Sequence, residues 1–411
     1  MSAKAQENIP ALRFPEFNGE WGDTTLGKVA PSPSYGMNAS AVPFDGTHKY
    51  LRITDIDEET RAFVPNPLTS PEAPISSDYS MKINDIVFTR TGASTGKTYL
   101  YNPKDGKLFF AGFLIRFRIN DANSSFIYFQ TLRQNYQKWV TVMSMRSGQP
   151  GINASEYSSY SFLIPNPDEQ KKIATFLSAV DERIEQITRK KQLLEQYKKG
   201  MMQKLFSQKI RFKDDSGNTF PDWEEKQLAD VFEEVNDKVG QQDLETYSIT
   251  AGRGFISQKE KFGRDISGQQ NEKYTALSNG SFSYNKGNSK TYKYGCVYLN
   301  ETRKLIAVPN VFISFKLIND AMSNVFFAKL FEYHYLDKGL RQIISSSARM
   351  DGLLNVNKTY FFKLKILVPP TQEQQKIADF LSSLDDKIDL ITTELSYAQT
   401  FKKGLLQQMF V

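Results

Sequence analysis

Two stretches of the chain carry the same spacing of apolar positions. Ile173, Leu177, Val180, Ile184, Ile187, Lys191, Leu194, Lys198, Met201 and Leu205 follow one another in alternating steps of four and three. Ile377, Leu381, Leu384, Ile388, Ile391, Leu395, Ala398, Lys402, Leu405 and Met409 do the same. A seam that recurs every three and a half residues predicts a coiled-coil helix, here with polar breaks toward its C-terminal half. Start signals precede both. Asn166-Pro167-Asp168-Glu169 offers an N-cap, a proline in the first turn and an acid three residues on; Thr371 with Gln374 predicts the same box one register later. Gly200 and Gly404 fall near the end of each seam, at a cost of about 1 kcal/mol each against alanine. A kink or helix end is the plainer reading of them, and close approach by a partner the sharper one.

Elsewhere the pattern is shorter and alternating. Asp85-Ile86-Val87-Phe88-Thr89-Arg90 and Gly280-Ser281-Phe282-Ser283-Tyr284-Asn285 read as strands, each leading into a polar Gly- and Ser-containing loop. Phe126 to Trp139 and Phe326 to Tyr335 read as helices in the same relative place.

The two long helical stretches are copies. Glu169 to Phe206 aligns with Glu373 to Phe410 without a gap, at an offset of 204 residues. Lys172-Ile173-Ala174 matches Lys376-Ile377-Ala378, and Lys198-Lys199-Gly200 matches Lys402-Lys403-Gly404. The similarity extends upstream, where Trp21, Leu26 and Val29 match Trp223, Leu228 and Val231, and Arg13-Phe14 matches Arg211-Phe212. Each helix is preceded by Ile152-Asn153 or Leu354-Asn355 and then by an apolar strand ending in proline. The chain is therefore two half-proteins of about 200 residues, alike in frame and unlike in their middles. At 1.5 Å per residue, each helix would span roughly 57 Å. Antiparallel pairing would then hold two globular units at opposite ends of a shared rod.

Composition narrows the function classes. Over 411 residues, 40% hydrophobic and 24% charged residues allow a sizeable core and exclude a wholly disordered chain. No run of about 20 apolar residues offers a membrane span, and Met1 to Pro10 lacks the apolar core of a secretion signal, so cytoplasm is the default. One cysteine, Cys296, excludes a disulfide framework and a Cys-rich zinc site; His48 and His334 have no metal-ligand pattern around them. A net charge of +6 permits a nucleic-acid partner without demanding one.

No catalytic motif survives inspection. Gly92-Ala93-Ser94-Thr95-Gly96-Lys97-Thr98 has three residues between its glycines where a P-loop needs four, and Tyr99-Leu100-Tyr101-Asn102-Pro103 reads as strand and turn rather than helix. The loop is either a plain hairpin turn or a place where backbone N–H groups and Lys97 meet a phosphate. Pro221-Asp222 with Glu224-Glu225-Lys226 is too closely spaced for a nuclease metal site. No Asn-Pro-Pro-aromatic or Asp-Pro-Pro-aromatic run for base amino-methylation occurs.

The repeated parts resemble the specificity subunits of Type I restriction–modification enzymes. Leu12-Arg13-Phe14-Pro15-Glu16-Phe17 with Gly19-Glu20-Trp21, the helices opening at Glu169-Gln170 and Glu373-Gln374, and Lys-Lys-Gly before a terminal Phe carry the likeness over nearly the whole chain. The resemblance implies an α+β fold: two β-rich target-recognition domains separated by a pair of long antiparallel coiled-coil helices, with a pseudo-two-fold internal repeat. On that plan residues 1–165 are the first target-recognition domain, 166–208 the first spacer helix, 209–368 the second domain and 369–411 the second spacer helix. It implies a noncatalytic subunit that reads an asymmetric, two-part double-stranded DNA target and scaffolds two methyltransferase subunits plus motor–nuclease subunits. S-adenosylmethionine, ATP and Mg²⁺ would belong to those partners, with no metal or cofactor on this chain.

Arg or Lys can read guanine, and Asn or Gln adenine, in the major groove. On loops that follow strands, the candidates are Arg90, Thr91, Ser94, Lys97, Arg146 and Gln149 in the first domain. Arg253, Asn285, Lys286, Asn288, Lys290 and Arg349 are their counterparts in the second. Two rival classes remain: a self-contained restriction or methylation enzyme, and a coiled-coil scaffold that never meets DNA.

Overall fold

The computed structural model describes residues 8–263, 268–287, 292–344 and 354–411, with the side chains of 262 and 268–270 left aside. The fold is α+β and is organised as two compact units. One runs through Arg189 and takes back Thr393–Val411; the other is Lys190–Thr392.

In the first unit the strands Ser34–Tyr35, Leu114–Arg118, Asp85–Thr89 and Thr98–Leu100 form an antiparallel sheet in that order. Alternation of side chains along Asp85–Thr89 sends Ile86 and Phe88 into one core and Val87 into another, which is why the run reads as continuously apolar. The first core adds Trp21, Phe117, Phe126 and Tyr157; the second adds Leu51, Leu108, Phe110 and Leu114. The stretch expected as one helix from Phe126 is two, Ser124–Thr131 and Gln134–Met143, broken where Arg133 turns extended.

The second unit repeats this sheet as Phe232–Glu234, Ile313–Leu317, Phe282–Asn285 and Cys296–Leu299. Phe282 pairs with Phe315 and Tyr284 with Ile313, as Ile86 pairs with Phe117 and Phe88 with Ile115. Its helical stretch is likewise split, into Asn324–Glu332 and Asp337–Ile343, with His334 at φ 61° between them. The plans differ in their smaller strand pairs: Lys49–Leu51 runs parallel to Leu108–Phe110, whereas Thr275–Leu277 runs antiparallel to Ile306–Val308. Likewise Ser40–Pro43 pairs with the distant Thr69–Glu72, whereas Tyr247–Thr250 pairs with the adjoining Gly254–Ser257.

Both long helices are continuous, Pro167–Phe206 and Thr371–Gln408. Neither Gly200 nor Gly404 ends its helix, and an added Cβ at either would meet nothing within 4 Å. In the first unit Ile173, Ala174 and Leu177 share a core with Leu405, Met409 and Phe410. Further along, Asp181 meets Lys402 at 2.5 Å and Arg183 meets Glu394 at 2.7 Å, so the two segments run antiparallel there. In the second unit Met202, Leu205 and Phe206 share a core with Ile377, Leu381 and Leu384, and Lys198 pairs with Asp385. The remaining seam positions follow the expected spacing: Ile187 and Ile391 are buried, while Val180, Ile184, Leu194, Ile388 and Leu395 are half-buried. Met202 rather than Met201 is the buried methionine.

A buried glutamate fastens each helix start to its domain. Glu169 receives Arg13 Nε and Nη2 at 2.8 and 2.7 Å and Trp21 Nε1 at 3.4 Å. Glu373 receives Arg211 Nε and Nη2 at 3.1 and 2.7 Å and Trp223 Nε1 at 3.0 Å. The adjacent glutamines, Gln170 and Gln374, bridge the carbonyls of Pro165 and Pro369 to the amides of Asn123 and Ser323. Asn166 caps the first helix by accepting the Glu169 amide at 2.9 Å, as expected. The reciprocal half of the box does not form, because the Glu169 carboxylate is committed to Arg13 and Trp21. The Thr371–Gln374 box is corrected as well: Thr371 is already helical and Gln374 is committed elsewhere.

Candidate nucleic-acid interface

The first unit opens a cleft of about 890 Å³ beside its four-stranded sheet. Its walls are strand ends and three loops laced together by the backbone. Arg90, just past Asp85–Thr89, donates its amide to Phe113 O at 3.1 Å and accepts Ile152 N at 2.9 Å. Thr91 bridges to Gly151, and the Gly92 amide reaches Pro150 O at 3.0 Å. Gly36 lies so close to the opposite wall that a Cβ there would fall 2.1 Å from Ala111 O. These ties place Tyr35, Asn38, Arg90, Thr91, Ser94, Phe113 and Gln149 around one concave surface. Tyr35 is 43% exposed and Phe113 58%, and the Arg90 guanidinium sits 5.1 Å above the Tyr35 ring. Ser94 Oγ bonds Glu58 at 3.2 Å, while Thr91, Asn38 and Gln149 make no side-chain hydrogen bond among the described residues.

Two candidates of this domain stand apart from the cleft. Lys97 is 4% exposed, with Nζ held by Ile56 O at 2.8 Å and Glu58 at 2.6 Å. That ammonium in turn lowers the Glu58 carboxyl below its ordinary range. The Thr91–Thr98 run is a hairpin turn whose Gly96, at φ 88°, leaves no room for a Cβ against Val140. Lys97 thus faces inward, away from any phosphate that the loop meets, because a short hairpin turns its side chain back across Asp57-Glu58. Arg146 pairs with Glu156 and donates to Met143 O and Met145 O, outside the cleft lining.

In the second unit Lys286 occupies the position of Arg90. It follows Phe282–Asn285, and its carbonyl accepts Leu354 N at 2.9 Å just as Arg90 O accepts Ile152 N. Its ammonium reaches Val356 O at 3.3 Å. Asn285 is committed internally, donating to Ile249 O and accepting Gly287 N, so its amide is engaged at both ends within the unit. Arg253 lies exposed on the hairpin between Tyr247–Thr250 and Gly254–Ser257, 3.6 Å from Glu260. Asn288, Lys290 and Arg349 lie outside the described residues.

Sequence reasoning missed Tyr35, Asn38 and Phe113. Phe113 follows a glycine between two strands, a turn signal that could have marked an exposed aromatic; nothing local marks Asn38. Among the described residues no group of three or more His, Cys, Asp or Glu side chains is placed to hold a metal ion. No helix of the described residues is long and apolar enough to cross a membrane.

Two like units, each joining a four-stranded antiparallel sheet to long-helix segments and carrying a basic side chain, Arg90 or Lys286, just past the end of the same strand, define a duplicated protein. Residues 23–196 and 221–397 each match the family of the Type I restriction modification DNA specificity domain. The chain belongs to that family. It is 23% identical over 365 residues to a Methanocaldococcus jannaschii protein named as the type I restriction enzyme MjaX specificity subunit, covering 80% of this chain and 78% of that one. Its fold is similar to the crystal structure of a Type I restriction-modification S subunit from M. genitalium, with a TM-score of 0.60 at 18% identity, over 98% and 99% of the two chains. A chain from a structure of type I R-M complex assembly gives a TM-score of 0.50 at 15% identity, over 95% and 96%.

Proposed function

We propose that this chain is the sequence-reading subunit of a Type I restriction–modification complex, recognising a two-part asymmetric DNA target with one half per globular unit. The observation that carries this reading is a frame wired twice in the same way around two unlike recognition surfaces. Identical helix anchoring repeats the support, whereas Arg90 in one unit and Lys286 in the other alter what the support presents. Phosphate contacts give register and base edges give sequence. Two dissimilar surfaces therefore read two dissimilar half-sites.

The helices supply the scaffolding role. Leu193 and Tyr197 are exposed on the first long helix, and Tyr397 and Phe401 on the second; the pairs correspond at the repeat offset of 204. Equivalent apolar pairs suit two copies of one methyltransferase partner, with motor–nuclease subunits joining them for cleavage. Methyl transfer and cleavage then belong to the partners, which would hold S-adenosylmethionine, ATP and Mg²⁺, and this chain acts without catalysis in the cytoplasm. Single-molecule methylome sequencing of a host with and without the chain tests the reading. A two-part methylated motif should be present with the chain and absent without it; a motif indifferent to the chain overturns the proposal.

A further inference from the structure

The structure assigns Arg90 as a specificity-determining residue: we infer that it reads a guanine in the half-site taken by the first unit, on a platform provided by Tyr35. The inference rests on the DNA-reading role proposed above and narrows it to one side chain and one base.

Residues 8–165 contain eight arginines, and seven are committed within the chain. Arg13, Arg52, Arg61, Arg118 and Arg146 face carboxylates. Arg116 donates to the carbonyls of Asp78 and Ser80, and Arg133 to the Gln130 side chain. Arg90 makes no side-chain hydrogen bond or ion pair among the described residues, and its Nε is buried without a partner. What fixes it is the Tyr35 ring beneath the guanidinium and backbone ties on both of its sides. Tyr35 is itself held, since its hydroxyl accepts the Ala154 amide at 3.2 Å.

A guanidinium whose Nη1 and Nη2 donors are unspent, stacked on a ring in the cleft that Asn38 and Gln149 also line, is preorganised for a planar acceptor pair. Guanine O6 and N7 form such a pair in the major groove. A phosphate also accepts two donors, but its contacts carry no sequence information. The cleft lining also carries Asn38, Gln149, Tyr50 and Phe113, amide and aromatic groups of the kind that meet base edges and faces, and its other guanidinium, Arg52, is spent on Asp55. The second unit places Lys286 at the same strand end with its ammonium on Val356 O. Lysine is a point charge where arginine is a fork, so the two units do not present the same reader.

The test uses the full chain assembled with its methyltransferase partner. The wild-type target is first taken from the host methylome, and binding is then measured on duplexes carrying every single base-pair change. Wild type should prefer G·C at one position of one half-site by roughly 5- to 150-fold. Arg90→Ala should abolish that preference alone, leaving the other half-site and the thermal midpoint unchanged. Tyr35→Leu should weaken the same preference by a smaller factor, and Tyr35→Phe should retain it. If the Arg90→Ala complex fails to assemble, Arg90→Gln carries the same expectations. An unchanged base profile overturns the assignment, as does an equal loss on all sequences with a salt slope reduced by about one, the mark of a phosphate contact. A wild-type complex with no base preference anywhere would instead overturn the DNA-reading role.

Discussion

In the first unit Glu169 gathers Arg13 and Trp21, and Phe14 packs on Phe176 at 5.7 Å; in the second Glu373 gathers Arg211 and Trp223, and Phe212 packs on Phe380 at the same 5.7 Å. At the strand end where each recognition surface begins, the correspondence stops. Arg90 is unspent over a tyrosine, whereas Lys286 is tied to a carbonyl, and the strand residue before it, Thr89 or Asn285, is committed in a different way. The difference shows how one fold separates two requirements. Contacts that hold helix to domain must be met identically twice. Surfaces that meet the target are free to diverge because the anchoring of helix to domain does not run through them.

The strongest way to break this comparison is to exchange residues 35–145 for those of another family member. The swap should change one half of the methylated motif and leave the other intact, as read by methylome sequencing; changes in both halves would deny independent reading. Next, replacing Tyr397 and Phe401 by serine should remove one of two methyltransferase copies from the complex, measured by native mass. Buried interface aromatics cost about 2 kcal/mol or more each when truncated. The same change at Leu193 and Tyr197 should remove the other copy.

Arg13→Ala and Arg211→Ala sharpen the claim of equal wiring. Each leaves a buried carboxylate facing Trp21 or Trp223 without its counter-charge, at roughly 3 kcal/mol. Denaturant melts should show similar losses for the two, and a loss in only one would mark the frames as energetically unlike. The smallest effect concerns Gly200→Ala and Gly404→Ala. Both sites are helical with open space at the Cβ, so each change should stabilise the isolated chain by about 1 kcal/mol. A loss of partner binding alongside that gain would show that the glycines admit a close approach from outside.

Much of the frame was legible in the residues. The seam from Ile173 and from Ile377, the Asn166 cap and the apolar strand at Ile86 all follow from local periodicity and turn chemistry. Ile173, Ile377 and Ile86 are buried and Asn166 accepts the Glu169 amide, while Met202 takes the place read for Met201. The recognition surface was legible only in part. Arg90, Thr91, Ser94 and Gln149 come together in one cleft, but Lys97 turns inward to Glu58 and Asn285 to Ile249, because a loop side chain's direction depends on neighbours distant in sequence. Asn38 and Phe113 reach the cleft only through strand pairing and loop contacts that no local pattern encodes.

The amino-acid order by itself determined that the protein is a duplication, which segments are helical and which residues face a seam, because these rest on periodicity and on self-similarity within one chain. It could not decide which copy of an element meets which. Phe206 and Phe410 are interchangeable by sequence, as are Trp21 and Trp223. Yet Phe410 packs 6.2 Å from Trp21, while Phe206 shares a core with Trp223. A continuous helix rising 1.5 Å per residue cannot return its last turn to its first. Each helix therefore ends in the unit it did not begin in, as antiparallel pairing implies, but the side chains that close around each end, Trp21 on Phe410 and Trp223 beside Phe206, are settled by tertiary packing alone.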